Sequence, residues 1–384
     1  MRRLITVMAL GFPLVTGCWD MHEVEHLYYV NVFGLDYQNG QYTAYVQILN
    51  PELLGIQKGG SSAKTGSWIA KGSGTTPISA IRSIYATTQR RIFWGHTTAI
   101  ILSERALQSK GIGHMIDIPT RFYELRYLPW TYCTKEPIPD LLKTQPILEN
   151  SPVFSTLSDP DAMYRQSSYI PPQRLFQTIR NLLEPGRATL IPELSIVQDD
   201  WFDAKKSYPE LKISGVGVLR HGRIVGCLSR NGAVGLRWLS PDTKNTYLTI
   251  RQNKMHMASL TLRRPSWRIR PHLQGTKAQF DVHVNVRGYL AEQCIPTSED
   301  NIQKAAAKQI EREIRLTFRK GLEFKTDIYG LGGVLYRRDS RGFHRWQEAG
   351  GATLLTPQSL RHVTVHVRIN NSGRTMEPSS HYNE

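Results

Sequence analysis

The chain has 384 residues, 40 % of them hydrophobic, enough for two or three packed domains at roughly 100 to 200 residues each. A formal net charge of +16 points to an anionic partner, and with no nucleic-acid-binding motif beside it the charge favours anionic lipid or acidic protein over nucleic acid. The four cysteines, Cys18, Cys133, Cys227 and Cys294, show no C-x-x-C spacing, so neither a zinc site nor a disulfide framework is indicated.

Arg2 and Arg3 precede an apolar run over 4–15, the layout of a secretory signal peptide and too short to span a bilayer. Leu14-Val15-Thr16-Gly17-Cys18 then resembles a bacterial lipobox. The expectation is cleavage after Gly17, with Cys18 carrying S-diacylglycerol and N-palmitoyl groups that tie the body to a membrane face. Two or three acyl chains suffice for stable anchoring. A soluble secreted protein whose signal happens to end near a cysteine is the alternative.

Beyond the tether, which contains Trp19 and Asp20, strands are expected over 28–33 and 42–49, joined at Asn39-Gly40, a strong hairpin signal. The stretch 58–76 is rich in Gly, Ser, Thr and Lys and reads as a mobile loop. Helical composition follows over 79–90, then a buried strand over 97–102 and short helices over 105–118 and 137–143. The Pro-rich stretch 151–192 reads as a connecting region around a helix at 172–183.

From 211 the pattern turns to strands: 211–219 and 223–228 across His221-Gly222, then 246–251 and 256–263. Over 279–286, Phe280, Val282, Val284 and Val286 alternate with polar residues, the period-2 signature of a half-buried strand. The clearest helix is 298–320, capped by Ser298 and followed by Gly321. Ile302, Ala306, Ile310, Ile314 and Phe318 share one face, and Lys304, Lys308, Arg312, Arg315 and Arg319 the opposite one. That basic side is either a solvated back or a ridge facing lipid or an acidic partner. Residues 251–345 hold 19 Lys or Arg against 9 Asp or Glu. A rigid turn is expected over 327–333, with Gly330 and Gly332 supplying unusual angles or close approach and Asp327 accepting backbone hydrogen bonds. A Val-rich strand over 361–369 closes the fold.

The chemistry-bearing residues form no catalytic constellation. Ser214 lacks the glycine two positions earlier that a nucleophile elbow needs, and Gly330-Leu331-Gly332-Gly333 lacks the third glycine of a dinucleotide fingerprint. His362 and His366 lie roughly 13 Å apart along a strand, too far for one metal ion. His22 and His26 have no third ligand nearby. No catalytic residue, metal or cofactor is therefore assigned.

Taken in order, Gly17-Cys18-Trp19-Asp20, Gly34-Leu35-Asp36, Gly95-His96, Gly111-Ile112, Arg121-Phe122-Tyr123-Glu124-Leu125-Arg126, Gly215-Val216-Gly217-Val218, Asp327-Ile328-Tyr329-Gly330-Leu331-Gly332 and Trp346 resemble the Ger(x)C family of spore germination lipoproteins. Arg105 stands where that family favours small or acidic residues. The resemblance implies a multi-domain α+β protein without known catalysis, lying outside the spore inner membrane. There it would work with A-type and B-type membrane subunits to trigger germination. The expected organisation is a signal peptide (1–17), an N-terminal α+β region (18–195), a C-terminal α+β region (205–370) with room for two subdomains, and a polar tail (371–384). Trp19, Asp20, Glu124, Arg126, Asp327, Gly330 and Gly332 are the structural or interaction candidates. A solute-binding lipoprotein of a transporter and a lipid-anchored hydrolase remain as rivals.

Overall fold

The computed structural model describes residues 27–49, 67–122, 124–147, 155–202, 206–252 and 255–370. Cys18, Trp19, Asp20, His22, His26 and the polar tail lie outside them. The fold is α+β, built on two sheets.

Sheet A runs in the order β3-β2-β1-β5-β6-β7-β8-β9, with β4 (Arg91–Phe93) beside β1. Its centre, β1 (Leu27–Gln38), β5 (Ala99–Ser103), β6 (Trp130–Thr134) and β7 (Thr189–Phe202), is parallel. Antiparallel ribbons extend both ends: β2 (Gln41–Leu49) and β3 (Ser67–Gly74) on one side, β8 (Ser207–Arg220) and β9 (Arg223–Ser229) on the other. Both hairpin turns read from sequence are present, with left-handed residues at Asn39 and Gly40 and at His221 and Gly222. β5 and β6 are buried throughout because both faces are covered. Ile100, Leu102 and Cys133 face one core; Ala99, Ile101 and Tyr132 face the other.

Three expectations need correction here. Ser67–Gly74, read as loop, is the edge strand β3. Its glycines serve close packing: a Cβ at Gly72 would strike the Ala80 carbonyl of α1 (Pro77–Tyr85). The single helix expected over 105–118 is two, α2 (Glu104–Ser109) and α3 (Gly113–Arg121), divided at left-handed Gly111. The expected connecting region 151–192 holds α5 (Pro160–Gln166) and α6 (Leu175–Leu183) and is packed in place, with the Ser168 N–H donating to the Asn245 carbonyl at 2.7 Å. α4 (Ile138–Lys143) falls where expected.

Sheet B has the order β10 (Asn245–Gln252), β11 (Met255–Gln274), β12 (Lys277–Gln293), β13 (Leu360–Ile369), with β13 parallel to β12. Between those two strands come α7 (Glu299–Glu323), α8 (Leu331–Arg338) and α9 (Ser340–Glu348). The Ser298 hydroxyl caps α7 by accepting from the Asn301 N–H, as its sequence indicates. Its apolar stripe, Ile302 to Phe318, is buried against Phe280, Val282, Val284 and Val286. At about 2 kcal/mol for each of its four large side chains, the stripe contributes on the order of 8 kcal/mol before chain-ordering costs. The helix runs past Gly321 to Glu323, and the missing side chain at Gly321 leaves room for Ile328, whose Cβ would lie 2.9 Å from an added Cβ.

Candidate functional site

A cleft of about 290 Å³ lies between α6 with the start of β7 on one side and residues 328–337 with β11 on the other. Of the sequence candidates Gly330 lines it, and Asp327 and Gly332 lie in the same loop without lining it. The expected turn is shorter than read, since helix α8 starts at Leu331 and Gly332 sits in its first turn. Gly330 precedes it with φ +68°, a left-handed conformation that glycine adopts freely. The Asp327 carboxylate is 2 % exposed, and its Oδ2 accepts the Gly332 N–H at 2.6 Å. Burial pushes this carboxyl up to about 6, against backbone N–H groups from Gly332 back to Tyr329 that favour its charged form.

The same loop joins the two sheets. The Gly333 N–H donates to the Gly186 carbonyl at 3.1 Å, and the Ala188 N–H to the Asp327 carbonyl at 3.2 Å. Gly332 and Gly186 approach so closely that a Cβ on Gly332 would lie 2.9 Å from the Gly186 oxygen. Glu184, at the end of α6, receives Arg337 at 2.8 Å and Arg187 at 3.5 Å. Asn181 lines the cleft with a buried Oδ1 that has no partner among the described residues. Asp327 Oδ2 is spent on the start of α8 and Glu184 on ion pairs, while the buried Asp327 Oδ1 has no partner among the described residues; the joint's contacts are those of a fastening.

The other candidates lie apart from it. Glu124 accepts from the Arg91 guanidinium and, at 3.1 Å, from the Trp94 N–H, fixing the strand end before β5. Arg126 is exposed and makes no ion pair among the described residues. Arg105, the departure from the family pattern, pairs with Asp36 of the Gly34-Leu35-Asp36 motif.

Two polar clusters escaped the sequence reading because their members are far apart in the chain. Arg237, 2 % exposed, pairs with Glu313 of α7 at 2.8 Å, and the Trp238 Nε1 donates to the same carboxylate at 2.7 Å. Glu104, Glu193 and Cys227 bring donor atoms within 4.8 Å of one another. The Lys135 ammonium, 3.3 Å from Glu193 and 3.8 Å from Glu104, already supplies a cation there. Beside them, a hydrogen bond with Cys227 and burial push the Cys133 thiol well up, so it stays protonated. Cys133, Cys227 and Cys294 are all free thiols.

Comparison with known proteins places this architecture. A family model described as the spore germination protein N-terminal domain matches residues 20–196, and one described as spore germination B3/GerAC like, C-terminal, matches residues 214–373. Spore germination protein KC of Bacillus subtilis (strain 168) is 23 % identical over 401 aligned positions, covering 98 % of this chain and 97 % of that protein. Spore germination protein B3 of the same organism is 20 % identical, covering 84 % of this chain and 85 % of its own length. The crystal structure of the GerBC protein superposes with a TM-score of 0.52 at 16 % identity, covering 91 % of this chain and all of that one.

Proposed function

Because the chain belongs to the Ger(x)C family of spore germination proteins, we propose that it is the C subunit of a nutrient germinant receptor. In this reading it is lipid-anchored through Cys18 on the outer face of the spore inner membrane. It acts as a non-catalytic scaffold with an A-type and a transporter-like B-type membrane subunit. The observation that carries the reading is the match of two successive germination-protein domains over residues 20–196 and 214–373, nearly the whole body of the chain. The joint between the two sheets supports it: a buried carboxylate, facing glycines and paired Glu184 hold two regions in fixed relation, as an assembly subunit requires. The lipobox-like Leu14 to Cys18 sequence supports the anchor.

Affinity isolation of the tagged chain from detergent-solubilised spore membranes tests this. The expected result is co-isolation of the A-type and B-type subunits in constant proportion. Recovery of the chain alone from a strain that expresses both would contradict it.

A further inference from the structure

Sheet B buries one face under α7 and leaves the other to solvent. Strand register decides which residues stand together on that outer face. Arg263 of β11 is opposite Arg287 of β12, and Arg287 is opposite Arg368 of β13, so three arginines form one row across three adjacent strands. All three are exposed. Side chains directly opposite one another on a sheet have Cβ atoms about 5 Å apart, and like charges so placed are destabilising. The row therefore works against folding.

No carboxylate among the described residues relieves it. Among the described residues, Arg263, Arg264, Arg268, Arg270, Arg287 and Arg368 make no ion pair, and Arg263 makes only a cation–π contact with Tyr289, at 5.1 Å. The one acidic residue on this part of β12, Asp281, is taken by Arg361 and His272. The basic back of α7 is partly neutralised, since Lys304 pairs with Asp300 and Arg315 with Glu311, while Lys308, Arg312 and Arg319 make no ion pair among the described residues. An open groove lined by Arg263, Arg287, Arg368, Ser266, Asn285 and His366 follows the row. With strands about 4.8 Å apart and about 3.4 Å per residue, the field from the arginine row to Arg270 covers about 10 by 20 Å.

We propose that this outer face of sheet B docks on anionic phospholipid headgroups. Guanidinium forks suit phosphate oxygens, and each basic residue near an anionic surface adds to attraction. The neighbouring row on the same face carries Tyr247, half exposed, and Tyr289 beneath Arg263, and tyrosines beside basic residues suit the headgroup level of a membrane. The proposal extends the membrane placement in the proposed function and would orient the body once Cys18 is anchored.

The test is vesicle co-sedimentation of the full chain carrying Cys18→Ala, so that acylation is absent from every sample. Vesicles of phosphatidylcholine alone are compared with vesicles containing one-third phosphatidylglycerol. Arg263→Gln/Arg287→Gln/Arg368→Gln should weaken the preference for anionic vesicles about 100-fold, roughly fivefold per arginine. Its thermal midpoint should be unchanged or raised, since like-charge repulsion is removed. Lys308→Gln/Arg312→Gln/Arg319→Gln, with the same loss of charge from α7, should retain most of the preference. Equal loss in both triple variants overturns the proposal, as does an unaltered preference in the sheet variant. Tighter retention of an acidic peptide or a DNA duplex than of anionic vesicles also overturns it. Failure here leaves subunit co-isolation untouched, so the two readings fail separately.

Discussion

Gly332→Val is the sharpest probe of the joint between the sheets. The added Cβ would stand 2.9 Å from the Gly186 carbonyl oxygen, 2.9 Å from Trp346 Cζ3 and 3.0 Å from the Gly186 Cα. Trp346 is wholly buried, and Gly186 is held by the hydrogen bond from Gly333. Neither neighbour can yield without loss. Overpacking of this kind costs about 1–3 kcal/mol, and valine's two further methyls and lower helix propensity place the total near about 3 kcal/mol. For a domain of 150–250 residues that is a fall in thermal midpoint of roughly 6–12 °C. Gly333→Ala is the control: its nearest atom, the Pro185 oxygen, is at 3.4 Å, an ordinary contact, so its midpoint should move by no more than roughly 2–4 °C. Thermal unfolding of both variants, read beside nutrient dose–response in spores, makes the comparison. An unchanged midpoint for Gly332→Val with a shifted dose–response would refute the reasoning and make the loop a recognition element.

Cys18→Ala should abolish incorporation of a fatty-acid analogue, and undiminished label would exclude the anchor. Asp327 has a carboxyl raised above its unfolded value, so the folded state binds the proton more tightly and stability grows as pH falls from above about 6 toward 4. Asp327→Asn keeps an acceptor for the Gly332 N–H and should flatten that rise in pH-dependent denaturant unfolding; a profile with the wild-type slope would assign it to another group. Glu313→Ala leaves Arg237 buried without its partner and should cost about 3–5 kcal/mol in chemical denaturation, whereas a cost under about 1 kcal/mol would mean that water reaches the guanidinium.

What could be read from sequence was whatever local periodicity encodes. α7 and the inner faces of β12 and β13 follow from residues two or four apart, and Asn39-Gly40 and His221-Gly222 mark their turns directly. β3 was hidden because Gly72 serves the packing of α1 in a composition typical of loops. The α8 start was hidden because glycines at 330, 332 and 333 look like a turn until Asp327 is seen capping a helix. Long-range pairing left no local trace. Arg237 and Glu313 meet across 76 residues, and register alone brings Arg263, Arg287 and Arg368 into one row on sheet B.

The central claim is receptor membership, and germination of spores lacking this gene tests it most directly. In a strain without a compensating paralogue, loss of refractility and release of spore contents should fail or slow strongly with the cognate nutrient. Spore yield and germination by a membrane-perturbing agent should stay normal, and the wild-type gene should restore the nutrient response. Spores that respond normally to every nutrient in that background would contradict the assignment.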